Sequence, residues 1–246
     1  MMVVCSSHYV PRGVDPGQHV DTTQHKARLR QYFDGIGFER WSAIYGEARL
    51  SPIRRSIRDG HSAMLALAER WLDADGVGRD GAALDAGCGT GLFSLALAGR
   101  GMQVTAVDIA PQMVAATRTA ASNAGLAERI QGVVSDLEDL QGRYDLVSCF
   151  DVLIHYPPGP FERMLHHLAT LSSATLLFTY APSSPLLSAM HRIGAYFPHS
   201  QRRTDIQMIP EPLVRATLHD CAMTIRRSQR ISSGFYHVTL VQATRH

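Results

Sequence analysis

Ala82-Ala83-Leu84-Asp85-Ala86-Gly87-Cys88-Gly89-Thr90-Gly91 runs a short apolar strand into a glycine turn, and residues 92–97 continue as a helix. Glycines at such a hand-over permit positive φ and let a ligand approach the backbone without meeting a Cβ. Downstream the same alternation repeats. Residues 104–107 read as a second strand ending on Asp108, 111–124 as a helix, 130–134 and 146–150 as the third and fourth strands. A helix over 161–171 leads to a fifth strand at 174–180. Repeated β-α alternation predicts a mostly parallel sheet with helices on both faces. After an irregular stretch at 181–209 and a helix at 211–221 come two β-rich runs, 223–227 and 235–241. They are too close for a helical crossover and are expected to pair as an antiparallel hairpin at one edge of a seven-stranded sheet.

Upstream of the turn, Gly76, Gly78 and Gly81 punctuate a loop, and before it the pattern is helical. Leu29, Tyr32 and Phe33 share one face, and Ile53, Ile57, Met64, Leu65, Ala68, Trp71 and Leu72 recur at spacings of three and four. Ser51-Pro52 has the form of a helix start, an N-cap followed by proline at the first helical position. The expected organisation is a flexible tail over 1–20, an N-terminal helical cap or lid over 21–75, and a Rossmann-like core over 76–246 with a substrate lid inserted around 181–209.

The 246 residues carry 24 Lys+Arg against 22 Asp+Glu, a net charge of +2 that is too even for a dedicated nucleic-acid binder. A hydrophobic fraction of 45% supplies a core and excludes global disorder. Cys5, Cys88, Cys149 and Cys221 form no C-x-x-C pair, which points to a reducing compartment and to neither a zinc site nor a disulfide framework. No apolar run approaches the roughly 18 residues of a membrane helix. The first residues show no secretory signal, so the expected location is cytoplasmic, with peripheral membrane contact left open.

Asp108 closes the second strand, where an acid can accept hydrogen bonds from both hydroxyls of a ribose. A dinucleotide fingerprint spaces its glycines G-x-G-x-x-G, whereas Gly87, Gly89 and Gly91 read G-x-G-x-G. Asp85 before them would repel a pyrophosphate but can pair with an ammonium. S-adenosylmethionine has that ammonium and no phosphates. The loop resembles the first motif of the class I methyltransferases. Two later segments are similar to the family as well: Ser135-Asp136-Leu137, where the family puts an acid near the adenine, and the strand Tyr144-Asp145-Leu146-Val147-Ser148-Cys149-Phe150-Asp151.

Two further segments narrow the resemblance. Tyr32-Phe33-Asp34-Gly35-Ile36-Gly37-Phe38-Glu39-Arg40-Trp41, continuing Ile44-Tyr45-Gly46, and Asp151-Val152-Leu153-Ile154-His155-Tyr156-Pro157 look like the magnesium-protoporphyrin IX O-methyltransferases of chlorophyll and bacteriochlorophyll biosynthesis. Ile57-Arg58-Asp59-Gly60-His61 and Arg192-Ile193-Gly194, with Phe197-Pro198, agree. The resemblance implies transfer of a methyl group from S-adenosylmethionine to one propionate carboxylate of magnesium-protoporphyrin IX, leaving S-adenosylhomocysteine. It implies His155 and Tyr32 as catalytic residues. Cofactor contacts are implied at Asp85, Gly87, Gly89, Gly91, Asp108, Ile109, Met113, Asp136, Leu137, Asp151 and Tyr45. For substrate they are implied at Ile154, Met190, Arg192, Phe197 and Arg203. A magnesium chelatase, as supplier of the substrate, is the implied protein partner.

The residues suit that chemistry. A propionate has an ordinary pKa of about 4–5, so it is ionised at neutral pH and needs no strong base. The site must hold oxygen, methyl carbon and sulfur in line and strip water from the carboxylate without trapping it in a salt bridge. His155 and Tyr32 can each hold one oxygen by a neutral hydrogen bond while the other attacks. An imidazole could instead ligate the porphyrin's magnesium axially, and His155 leaves both roles open. His166-His167 point apart on a helix and make a poor metal pair, so the protein itself is assigned no metal. The rival readings are a quinone- or phenol-methylating enzyme on the same fold, a porphyrin carrier without turnover, and a nicotinamide oxidoreductase, against which the glycine spacing argues.

Overall fold

The structure, a computed structural model, describes residues 22–38, 50–77, 80–183 and 206–245. The expected tail over 1–20 and most of the insertion around 181–209 lie outside them. Five strands, β1 (Ala82–Ala86), β2 (Gln103–Asp108), β3 (Ile130–Val134), β4 (Tyr144–Cys149) and β5 (Ser172–Pro182), run parallel in the order β3-β2-β1-β4-β5. Next to β5 lies β8 (Tyr236–Arg245), antiparallel to it, and β7 (Met223–Ser233) closes that edge antiparallel to β8. The α/β class, the seven-stranded sheet and the edge hairpin are therefore as read. An eighth, two-residue strand, β6 (Met208–Ile209), pairs with the end of β5 and was read as irregular chain.

Sequence accounts for these choices. The central β1 and β4 are covered on both faces, so they are buried nearly residue after residue rather than in alternation, Asp85 and Ser148 included. The outermost β7 is different: Arg226, Arg227, Ser228, Gln229 and Arg230 break its apolar pattern, which suits an edge that must not recruit another strand. Ser228, Gln229 and Arg230 hid its true length, read as 223–227. Gly234 turns β7 into β8 with φ 56°.

Helices cover both faces. On one, α5 (Pro158–Leu171) and α6 (Glu211–Asp220) bury Phe161, Met164, Leu165, Leu168, Val214 and Leu218 against Val147, Phe178 and Val241. On the other lie α3 (Leu92–Gly99) and α4 (Pro111–Asn123) and, beside them, α2 (Pro52–Asp75). Ser51 caps α2 by accepting from the Arg54 amide at 3.4 Å, Pro52 opens it, and Gly76 ends it at φ 65°.

The segment expected as one cap over 21–75 divides into two parts. Met64, Leu67, Ala68 and Leu72 pack α2 into the core with Leu146, Leu177 and Leu240, so this helix is a layer of the fold. Arg227 and Gln242 fasten its end through Asp75, at 2.6 and 2.8 Å. The shorter α1 (Thr22–Tyr32) and the π turn after it, Phe33–Gly37, lie over the carboxyl ends of the strands instead.

One contact between α2 and the hairpin is unusually close. A Cβ on Gly60 would sit 2.5 Å from the Tyr236 ring. Gly60→Val is expected to force the helix off that ring and lower the thermal unfolding midpoint by about 5–10 °C, the scale of ~2–3 kcal/mol of overpacking. An unchanged midpoint by calorimetry would show that the helix has room to spare.

Candidate functional site

A cleft opens along the carboxyl ends of β1, β2 and β4, where a sheet of this kind takes its ligands. The glycine turn forms its floor. The Gly87 and Cys88 amides both donate to the Val107 carbonyl, at 2.7 and 2.9 Å, folding the turn back onto β2. Gly87 has φ 80°, and a Cβ there would lie 2.1 Å from Val152 Cγ2, so both backbone angle and space require glycine.

Asp108 ties this turn to its own strand end. One carboxylate oxygen accepts from the Gly89 amide at 3.0 Å, the other from the Ala110 amide at 2.9 Å. Each oxygen keeps a lone pair for a further donor. Burial pushes the Asp108 carboxyl up to about 6, against the opposing pull of those amides. Asp136 faces the cleft after β3 and caps a short turn by accepting from the Glu138 amide at 3.1 Å. Asp85, at the end of β1, lines the cleft but is 3% exposed and accepts from Ser94 Oγ at 2.6 Å and Ser148 Oγ at 2.9 Å. Burial raises its pKa as well, and through the two serine hydroxyls the side chain anchors α3 and β4.

Just past β4, Asp151 adopts φ 57°, a left-handed conformation that costs a non-glycine residue energy and is held by its surroundings. Its amide donates to Thr179 Oγ1 at 2.7 Å, while its carboxylate accepts from Tyr236 Oη at 2.9 and 3.0 Å and from Thr179 Oγ1 at 3.2 Å. His61 of α2 stands 3.9 Å away.

On the opposite wall, the turn Leu153–His155 presents His155, which is buried, with its ring 5.5 Å from that of Phe33. Phe33 meets Tyr32 edge to face at 5.0 Å. This N-terminal segment is clasped to α4: the Gln112 amide donates to the Asp34 carboxylate at 3.1 Å, and Gln112 Nε2 to the Asp34 carbonyl at 2.6 Å. The carboxylate thereby caps a helix start whose own N-cap residue, Ala110, offers no side-chain acceptor.

The cleft thus brings together Asp85, Gly87, Gly89, Asp108, Ile109, Met113, Asp136, Leu137, Asp151 and His155. Three of the sequence candidates are placed elsewhere. Gly91 starts α3 behind the turn with φ 86°, against Thr117. Ile154 packs in the apolar core rather than on the cleft wall, its neighbour His155 being the residue of that turn that lines the cleft. Tyr32 is half-buried and reaches His155 through Phe33. Tyr45, Met190, Arg192, Phe197 and Arg203 fall outside the described residues. Sequence reasoning assigned no role to His61, Leu65, Phe93 and Phe150, which also line the cleft. His61 was legible only as part of a matching segment, and the apolar three as helical or strand periodicity.

Burial pushes the thiols of both Cys88 and Cys149 up, so neither is a ready nucleophile. Among the described residues no group of three or more His, Cys, Asp or Glu could hold a metal, and no helix is long and apolar enough to cross a membrane.

Comparison with known proteins bears on the family and the fold. Residues 149–245 match the family described as magnesium-protoporphyrin IX methyltransferase C-terminus, and residues 83–173 match a methyltransferase domain. The chain is similar to the magnesium-protoporphyrin O-methyltransferase of Synechocystis, 34% identical over 89% of this chain and 96% of that one. It is also similar to the chloroplastic magnesium protoporphyrin IX methyltransferase of Arabidopsis thaliana, 36% identical over 89% of this chain and 70% of the other. The crystal structure of the Synechocystis PCC 6803 enzyme with bound SAH superimposes with a TM-score of 0.82, covering 90% of this chain and all of that one at 34% identity.

Proposed function

Since the chain belongs to the magnesium-protoporphyrin O-methyltransferase family, we propose that it methylates one propionate carboxylate of magnesium-protoporphyrin IX, using S-adenosylmethionine. The observation that carries this reading is one cleft holding both a nucleoside-type floor, Asp108 over the glycine turn, and an imidazole, His155, that can face an acceptor.

The cofactor supplies an electrophilic methyl group on a sulfonium. Asp108 suits the ribose hydroxyls, since each of its oxygens keeps a lone pair after serving the turn. Asp136 suits the adenine side, beside Leu137. No proton has to move, because the attacking carboxylate is already an anion. His155 therefore serves as a donor that fixes one carboxylate oxygen and leaves the other to attack. Phe33 holds the imidazole from above and helps to keep water off the reacting groups. Tyr32 is proposed as the second donor, brought in through Phe33. Magnesium enters as part of the substrate, and a chelatase that makes that substrate is the proposed partner. A lipophilic porphyrin also makes peripheral membrane contact the proposed setting.

The test is to incubate the purified protein with S-adenosylmethionine and either magnesium-protoporphyrin IX or metal-free protoporphyrin, and to follow the products by mass spectrometry. A single added methyl on the magnesium porphyrin, and little on the metal-free ring, is the expected result. No methyl on either ring, from protein that binds S-adenosylhomocysteine, would overturn the substrate assignment.

A further inference from the structure

A donor that fixes one oxygen of the acceptor carboxylate has to stand at one place on the cleft wall. His155 is carried there by the turn Leu153–His155, which follows Asp151 after a single residue. Asp151 is the residue of φ 57° just past β4. Aspartate enters the left-handed region more readily than most side chains, yet the conformation persists only where neighbours hold it. Its holders are two hydroxyl groups from outside the cleft, those of Thr179 and Tyr236, neither of which lines it.

Thr179 is fully buried on β5. Its oxygen accepts from the Asp151 amide at 2.7 Å and its own proton goes to the Asp151 carboxylate at 3.2 Å. One hydroxyl thus binds main chain and side chain of the same residue. Tyr236, the first residue of β8, places its hydroxyl 2.9 and 3.0 Å from the two carboxylate oxygens. β5 and β8 are paired in the sheet, so both hydroxyls come from one strand pair. Gly60 leaves the room in which the Tyr236 ring stands. Beyond Asp151 the path of the chain is short. Val152 packs on Gly87, and the His155 amide donates to the Val152 carbonyl at 3.1 Å. The Gln207 amide holds the far side of the turn through the Ile154 carbonyl at 2.7 Å. Between these contacts, the direction in which the chain leaves Asp151 sets the place of the imidazole.

We propose that Thr179 and Tyr236 are positioning residues for methyl transfer. By locking Asp151 in its left-handed conformation they aim the Leu153–His155 turn and fix where His155 meets the acceptor carboxylate. Thr179 secures the backbone through the Asp151 amide, and Tyr236 secures the side chain through both of its oxygens. The edge hairpin of β7 and β8, whose residues do not line the cleft, thereby gains a part in the chemistry. The inference rests on the reading of His155 as the donor to that carboxylate.

The experiment is a double-mutant cycle on kcat, measured with S-adenosylmethionine and magnesium-protoporphyrin IX both saturating so that differences in binding drop out. Thr179→Val keeps the shape of the side chain and removes its hydroxyl. Alone it is expected to lower kcat roughly 10- to 100-fold, the cost of moving a reacting group by about 1 Å. Combined with His155→Ala the same change costs less than about twofold, since no imidazole is left to aim. Thr179→Ser, which keeps both hydrogen bonds, recovers most of the rate. Equal losses in the two backgrounds would make Thr179 a support of the fold alone and overturn the proposal. So would a kcat for Thr179→Val within about threefold of the unaltered enzyme. If His155→Ala itself methylates at close to the unaltered rate, the role of His155 falls, and the positioning with it. Where Thr179→Val does not fold, Tyr236→Phe, which keeps the ring beside Gly60, runs the same cycle against the same criteria.

Discussion

Replacing His155 by alanine is expected to slow methyl transfer by roughly 10²- to 10³-fold, the usual loss when one preorganised donor is removed from a reacting oxygen. Affinity for S-adenosylhomocysteine should stay within about threefold, because the imidazole stands on the Phe33 wall, apart from the Asp108 floor. His155→Asn, which keeps an N–H donor, should retain part of the rate. The loss should fall on kcat more than on KM, since an ionised carboxylate binds before it is aligned. Rates within threefold of the unaltered enzyme for His155→Ala would remove this residue from the reaction. They would pass the acceptor to Tyr32, the other donor proposed.

Asp108→Asn should weaken S-adenosylhomocysteine binding by about two orders of magnitude, as two charge-assisted hydrogen bonds are degraded at ~1.5–3 kcal/mol each. Asparagine has one acceptor oxygen for the two amides, of Gly89 and Ala110, that now donate to Asp108. One of them loses its partner, and the glycine turn loosens as well. The pH dependence follows from the raised pKa. With the Asp108 carboxyl titrating at about 6 in the empty cleft, lower pH adds a proton and removes an acceptor. Affinity should hold level above about pH 7 and fall up to tenfold per pH unit below 6. Between the unfolded value of 3.8 and the folded value of about 6, the empty protein binds the extra proton, so this residue's share of stability declines as pH rises through that window. Burial pushes Asp85 and Asp151 in the same direction. The rise in unfolding midpoint given by S-adenosylhomocysteine should therefore be larger at pH 8 than at pH 5. A pH-independent affinity measured by calorimetry would show that Asp108 is not titrating in the cleft.

The central strands were legible because doubly covered strands are buried almost without a break, and Ala82–Ala86 was read to the residue; so was Ile130–Val134 at the far edge of the sheet. At the hairpin edge the signal failed. A strand bonded on one side tolerates Ser228, Gln229 and Arg230, and their polarity put them outside the strand as read. Periodicity along α2 told that one face is buried but not against what, which is why a layer of the core passed for a cap. The acid after β2 and the glycine turn were readable because their chemistry depends on neighbours in sequence. His61 was not, since its meaning comes from Asp151, Thr179 and Tyr236, which only the folded chain brings near.

The clasp between Asp34 and Gln112 links two events that would otherwise be separate. Ile109, on the cleft wall, and Gln112, under the N-terminal segment, belong to the same short stretch at the start of α4. Should a nucleoside in the cleft bind more tightly with that segment seated, seating would gain the same free energy from the nucleoside, by reciprocity. The joint between the two is then the Asp34 carboxylate on the amide of Gln112.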